Sequence, residues 1–456
     1  MAALIITALL GIGLLFVGLG NLKKFLAPIA ILGLLGALAT ICLDWGKGPG
    51  MFSNMAIFDN YSLAFNGAII FTTLLIFLLA IEYYKDMDKN VAENFSLMLF
   101  VLPGAFLMTS FTNLVVLFIG IEVLSIPLYV LAGSKRHSRR ANEASFKYFV
   151  MGSFASAFLL FGIALVYGVT ASFYLPEILE YATSRQGELP MMYNVGVIMI
   201  FVGMSFKVAA APFHFWSPDV YEGSPTLVTA FMATVVKMAG FAAFYRLLMA
   251  GFNTINPTLE YMLWGMTFLT LIIGNFSAIW QASFKRLLAY SSIANGGFLL
   301  LAMVPMHVMS ANTIWYYSFT YSLATLIAFS VFFSVKRASA GIEQIEMFRG
   351  LWKQKPRLAI AFTTALLSLA GIPPLAGFFS KYFVFYLVID SGYLWAGVAA
   401  IVLALVSIFY YFAVLRYIFN DDAPEKEIEY PLTSSVALAI CLILIIGMGI
   451  YPIQLL

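Results

Sequence analysis

The sequence predicts an all-α polytopic membrane protein of about fourteen transmembrane helices, and three observations carry that expectation. Of its 456 residues, 62% are hydrophobic and only 10% charged, too few charges to clothe a soluble domain in water. Apolar runs long enough to cross a hydrocarbon core, about 20 residues each, recur from Ala2 to Leu456 with short polar gaps. These runs lack the alternation of a membrane barrel, so helices remain as the way to satisfy backbone polar groups in lipid.

The first run, 2–20, has no basic residue ahead of it and is followed by Lys23 and Lys24, the reverse of a cleavable signal, so a retained helix is expected. Runs 26–43 and 62–81 complete a three-helix N-terminal part, 1–93. As one helix, the stretch 94–133 would measure about 60 Å, twice a bilayer. It therefore divides at Ser110–Asn113 into spans 94–109 and 112–133. Spans 144–168, 192–215 and 225–249 follow; a second set at 258–280, 286–305, 310–334, 358–388 and 393–418 precedes the last span, 432–454.

Two spans are interrupted and carry a lysine: the seventh has Lys207 and Pro212, the twelfth Gly371, Pro373, Pro374 and Gly377 before Lys381. They lie five spans apart, so equivalent helices run in opposite directions. This predicts one domain, 1–456, with two inverted five-helix repeats at 94–250 and 258–418 and a C-terminal helix at 432–456, a plan that transporters use.

Basic residues orient the chain. With fourteen spans, Lys23, Lys24, Lys85, Lys89, Lys135, Arg136, Arg139, Arg140, Lys285, Arg286, Lys336, Arg337, Arg349, Lys353, Lys355, Arg357, Arg416 and Lys426 fall in loops on one side. Only Lys47, Arg185 and Arg246 fall on the other. The basic side is cytoplasmic by the positive-inside rule, which predicts both termini outside.

The net charge of +3 gives no basic patch for nucleic acid. Cys42 and Cys441 stand alone in apolar runs, which does not support an iron–sulfur, zinc or disulfide framework. No serine or cysteine pairs with a histidine at suggestive spacing, and Gly11, Gly13 and Gly18 miss the dinucleotide pattern.

What remains is charge inside the helices. A charge at the bilayer centre costs at least about 2.5 kcal/mol, so each one marks an ion or proton pathway by default. Glu122 is mid-span; its bland reading is a protonated packing carboxyl. Lys207 and His214, seven residues apart, are expected on one helix face with Pro212 loosening the ladder between them; snorkelling is the alternative for Lys207 and an ordinary boundary histidine for His214. Lys237 is too deep in span 8 to snorkel, and Lys381 follows the Gly-Ile-Pro-Pro break. Lys147, three residues into span 6, equally fits snorkelling, and His307 beside Pro305 sits at a boundary.

The stretch from Ser205 through Lys207, Pro212, His214, Trp216, Ser217, Pro218, Asp219, Tyr221, Glu222 and Gly223 to Thr226 resembles the antiporter-like membrane subunits of NADH–quinone oxidoreductase, respiratory complex I. Ala370 to Lys381 is similar to that family's broken twelfth helix, and the likeness covers essentially the whole chain. Lys381, where the M-type subunits have a glutamate, and the Asp219-Val220-Tyr221-Glu222-Gly223 wording point to the N type, with no L-type lateral helix expected after Leu456; Ser224 stands where alanine is more usual. The resemblance implies proton translocation through a Glu122–Lys207 pair, a central Lys237 and an exit Lys381. It further implies a bacterial inner-membrane location and partners that include subunit M and the small quinone-side subunits. NADH, FMN, iron–sulfur clusters and quinone are then expected in other subunits, and no cofactor in this one. The competing reading is a subunit of a multi-subunit cation/proton antiporter; a third is a non-conducting scaffold.

Overall fold

A computed structural model describes residues 1–20, 22–85, 90–185, 189–252, 257–339, 341–421 and 427–456; Lys89 and Lys426 of the orientation argument lie outside them. The chain begins with α1 (Ala2–Leu19) and α2 (Leu26–Asp44), then a small antiparallel hairpin, β1 (Gly50–Phe52) and β2 (Ala56–Phe58). Helices α3 (Asn60–Tyr83), α4 (Val91–Ser110), α5 (Leu114–Ala132) and α6 (Arg139–Thr170) follow. Capping side chains fix three of these starts. Asp59 accepts from Ser62 N–H at 2.8 Å, Asn113 from Val115 N–H at 2.8 Å and Ser138 from Ala141 N–H at 3.3 Å, satisfying donors that a helix start leaves free.

Next come the short amphipathic α7 (Leu175–Ser184), α8 (Met191–Val208), α9 (Trp216–Gly223), α10 (Thr226–Phe231), a π turn (Met232–Val236) and α11 (Lys237–Gly251). Helices α12 (Pro257–Ile279), α13 (Phe284–Leu301), α14 (Ser310–Ala338), α15 (Leu351–Gln354), α16 (Pro356–Ala370), α17 (Ala376–Asp390), α18 (Leu394–Ile418) and α19 (Leu432–Ile450) complete the chain.

The chain is an all-α, multi-pass membrane protein. Among the described residues, twelve helices are long and apolar enough to cross a membrane. The expectation of about fourteen adds α13 and the interrupted α16–α17 pair, which lie outside those twelve. The division of 94–133 falls where sequence length required it, with α4 ending at Ser110 and α5 starting at Leu114. The hairpin and α7 were not anticipated; both are too short to register as spans.

Packing explains which helices are central. The rod from Thr226 to Leu248 is buried along its whole length, whereas α1 and α2 expose long apolar faces, including Phe16 and Leu32. Helices α6 and α8 cross through glycines. A Cβ on Gly162 would stand 2.6 Å from Gly196 O, and one on Gly196 would stand 2.9 Å from Gly162 O. Small residues at such a crossing let two backbones touch without a solvent-driven force between them.

Candidate functional site

Two broken helices place the lysines. Helix α8 ends because Ala209 turns into the left-handed region at φ 58°, which opens the ladder just after Lys207. Thr270 Oγ1 and the Trp216 indole N–H take up groups at the break, bonding Ala211 N–H (2.8 Å) and Phe206 O (3.0 Å). The break thus begins before Pro212, and Lys207 and His214 do not share one helix as expected. Pro212 lies in the turn between α8 and α9.

Lys207 is buried, and its Nζ donates to Ser125 Oγ on α5 at 2.7 Å. Ser125 in turn donates to Ile121 O. The expected pairing with Glu122 is not a direct ion pair: among the described residues no carboxylate lies within 4.0 Å of the Lys207 nitrogen. Glu122 Oε1 is buried without a hydrogen-bond partner. A small cavity lined by Ser125, Tyr129, Gly152, Gly203 and Lys207 adjoins this group.

Lys237 opens α11 directly after the π turn. A π turn widens the helix locally and recurs at functional sites. Its Nζ donates to Ser292 Oγ at 2.6 Å and to Ser292 O, beneath the rings of Phe241 and Tyr321 at 5.9 and 5.8 Å. Lys237 is 6% exposed, so it does not snorkel.

Lys381 lies ten residues past Gly371, where α16 ends in a left-handed turn at φ 86°. Glycine is required there twice over: any side chain would be strained at that φ, and a Cβ would sit 2.8 Å from Lys381 Cδ. The break frees Ala370 O, which accepts from Lys381 Nζ at 2.8 Å; Ser407 Oγ accepts at 3.0 Å, and Phe298 lies below at 5.3 Å.

Between the last two lysines runs a buried polar seam. Tyr317 O–H donates to Asn295 Oδ1 at 2.8 Å, Asn295 Nδ2 donates to Ser291 O at 2.8 Å, and Ser291 Oγ meets Tyr411 O–H. Thr320 and Ser380, one residue before Lys381, share a 2.7 Å hydroxyl contact. A cavity lined by Asn295, Tyr317, Tyr321, Ser380 and Lys381 joins these groups.

The remaining candidates lie apart. Lys147 is eight residues into α6, not three, and is partly exposed, bridging Glu143 (2.7 Å) and Asp219 (2.8 Å). Arg286 joins it, bonding Asp219 at 2.8 Å and Glu222 at 3.1 Å. His307 Nδ1 accepts from Met309 N–H at 3.1 Å, leaving Nε2 to face Asp390 Oδ2 at 3.2 Å, at the end of the helix that carries Lys381. His214 is buried, and its Nδ1 has no partner.

Sequence reasoning missed the hydroxyls that hold each lysine, because single serines in apolar runs carry no signal. It also put Lys285 in a loop. That residue lies inside α13, 2% exposed, donating to Glu222 O (2.8 Å) and Ser224 O (2.5 Å); the long polar stripe Ser291, Ser292 and Asn295 on the same helix was a legible hint.

The family described as "NADH:quinone oxidoreductase/Mrp antiporter, TM" matches residues 112–407, the part that holds every one of these lysines. NADH-quinone oxidoreductase subunit N of Flavobacterium johnsoniae is 39% identical over 97% of this chain and 96% of its own length. The chain belongs to the NADH-quinone oxidoreductase subunit N family. A chain of respiratory complex I from Thermus thermophilus superposes on it with a TM-score of 0.83 at 33% identity, covering 99% of this chain and 97% of that one. A chain of the Mrp complex from Dietzia sp. shares the fold, with a TM-score of 0.86 over 98% of this chain and 94% of that one, at 19% identity. Among the described residues, no group of three or more His, Cys, Asp or Glu side chains is gathered to hold a metal ion.

Proposed function

We propose that this subunit N family member translocates protons across a bacterial inner membrane, as part of an NADH–quinone oxidoreductase whose electron transfer takes place in other subunits. The single observation that carries the reading is the row of three buried lysines, Lys207, Lys237 and Lys381, held by hydroxyls and backbone carbonyls and not by carboxylates. A lysine held in this way exchanges a proton without first breaking an ion pair.

In this mechanism the Glu122 carboxylate keeps the proton on Lys207, since an opposite charge nearby favours the charged form. When that influence is withdrawn, the proton passes to Lys237. The Asn295–Tyr317 seam delivers it to Lys381, and His307 with Asp390 provides the way out. Lys147 lies in the charged network of Asp219 and Arg286 and serves as the inward-facing entry. Fourteen spans, two inverted five-helix repeats and periplasmic termini belong to the same proposal; that both repeats have a helix broken by a left-handed residue, Ala209 and Gly371, supports it. NADH, FMN, iron–sulfur clusters and quinone are assigned to partner subunits. The exposed apolar faces of α1, α2 and α6 are assigned to lipid and to neighbours such as subunit M.

The experiment uses the complex from native membranes, reconstituted in vesicles. Lys381→Met should assemble, yet lower proton uptake per NADH oxidised. Unchanged uptake would overturn the reading, and purification of this chain without NADH-oxidising partners would favour the cation/proton antiporter instead.

A further inference from the structure

Where α8 breaks, every buried backbone N–H needs an acceptor within the protein. Ala209 and Ala210 turn back on the helix, donating to Phe206 O at 3.1 Å and Ser205 O at 2.9 Å, the two bonds that close a helix through a left-handed residue. Ala211 N–H is the next donor in the chain, and Pro212 after it has none to offer. Ala211 is buried, so bulk water does not answer it. Its acceptor is Thr270 Oγ1 at 2.8 Å, a side chain of α12 that lies 59 residues further along the chain and in the second of the proposed repeats.

The Thr270 hydroxyl is committed on both counts. It donates to Met266 O at 2.6 Å, which leaves a lone pair free for Ala211, and the residue is buried. One turn earlier on α12, Met266 Sδ lies 3.8 Å from Ser205 Oγ, two residues before Lys207. The same helix packs on α13 without slack: a Cβ on Gly274 would stand 2.5 Å from Ala294 N, and one on Gly297 would stand 2.7 Å from Leu271 Cγ. Helix α13 carries Ser292, which holds Lys237, and Asn295, which lines the cavity at Lys381. The free end of α8 is thus tied by one side chain to a helix packed against the groups around the other two lysines.

We propose that Thr270 is a positioning residue for Lys207: its hydroxyl, reaching in from the other repeat, holds Ala211 and so fixes the end of α8 from which Lys207 meets Ser125. The inference rests on the reading of Lys207 as a proton carrier. Without the hydroxyl, the 209–211 turn keeps its two bonds back to α8 but loses its tie to α12. The Lys207 nitrogen is then no longer kept at 2.7 Å from Ser125 Oγ, and electron transfer continues with fewer protons taken up.

The test uses the assembled complex in vesicles and compares Thr270→Val, Thr270→Ser, Ser125→Ala, Lys207→Met and the double variant Thr270→Val with Ser125→Ala. Thr270→Val keeps the shape and removes the hydroxyl. It should lower proton uptake per NADH oxidised by at least about threefold, within the 100-fold that about 1 Å of misplacement can cost. Thr270→Ser, which restores the hydroxyl, should recover most of the loss. Because Thr270 and Ser125 act on the same nitrogen, the double variant should lose less than the product of the two single losses. A threonine that only braces the fold lowers the yield of complex and its NADH oxidation together, leaves the uptake ratio unchanged, and multiplies with Ser125→Ala. A parental ratio in assembled Thr270→Val, or losses that multiply, would overturn the proposal while leaving the lysine row standing. If Lys207→Met itself pumps like the parent, the reading of the lysines falls first. Should Thr270→Val fail to assemble, Thr270→Cys, with a weakly accepting thiol of similar size, takes its place under the same expectations.

Discussion

Replacing Lys237 by arginine separates a charge that is merely present from a charge that moves. The Lys237 nitrogen is held by Ser292 Oγ at 2.6 Å and by Ser292 O, two acceptors that a guanidinium can also use. The space is tight: a methyl added at Gly296 would stand 3.4 Å from Nζ and 3.3 Å from the Phe241 ring. The larger head group should therefore cost about 1–3 kcal/mol of packing, which a rod as deeply buried as this one tolerates. The barrier to proton release adds to this. Arginine holds its proton more tightly than lysine by at least about two pH units, roughly 3 kcal/mol at 1.36 kcal/mol per unit. Relative to lysine, that slows any step needing the neutral form by at least about 100-fold. Lys237→Arg should thus assemble, as followed on a native gel, and show no measurable quenching of a pH-sensitive dye on NADH addition. Lys237→Met, which removes charge and proton together, should behave alike. If the arginine form pumps within about twofold of the parent, against the loss expected from proton-transfer catalysis, the residue acts by its field alone and the proton-carrier reasoning fails.

Because the hydrogen-bond partner of Lys207 is Ser125, Glu122→Gln should lower pumping and Glu122→Asp should retain more of it. A carboxylate moved to Ile126, which is exposed, should not rescue the glutamine form; rescue would mean that any nearby charge suffices. At the start of α3, Asp59 Oδ1 caps the helix through Ser62 N–H and accepts from the buried Arg246 at 2.6 Å. Asp59→Asn should cost about 1 kcal/mol, discounted because the carboxylate is partly exposed, and Asp59→Ala about 1 more for the lost cap; equal melting temperatures for the two would remove the cap from the account. In the loop after α14, burial pushes the Glu343 carboxyl up, but Lys285, Lys336 and Arg140 together hold it below its ordinary value of 4.5. A depressed carboxyl contributes stability above its unfolded value that is lost as the pH falls through the folded one, so this loop should weaken below about pH 4.5. Glu343→Gln should flatten thermal stability across that acid window, and an unchanged slope would assign the acid sensitivity elsewhere.

Much of this was legible in residues that sit against their surroundings. Lys237 between Val236 and Met238, or Lys381 after Gly371-Ile372-Pro373-Pro374, stand out because an uncompensated charge in an apolar helix is expensive whatever the fold. The break of the twelfth span was equally visible, since proline cannot donate to the ladder and glycine accepts the left-handed turn. The break of the seventh was placed too late: Ala209, an ordinary helix former, ends α8, and nothing in an alanine announces a positive φ. Lys147 was read at a membrane boundary because α6 was expected to start at 144; Ser138 caps it earlier and hands the lysine to Glu143 and Asp219.

The sequence by itself determined that the chain crosses the membrane many times and that Lys207, Lys237 and Lys381 are buried in it, because both follow from the transfer of local segments out of water. Tertiary structure alone decided who answers those charges. Ser125 lies 82 residues from Lys207 and Ser292 lies 55 from Lys237. Glu222 and Ser224 offer Lys285 their carbonyls across more than 60 residues of chain. A hydroxyl or a carbonyl is common and cheap to hide within its own helix, so its sequence carries no mark of the use made of it. Only the packing of α5, α9 and α13 around the buried rod brings each one to the lysine that needs it.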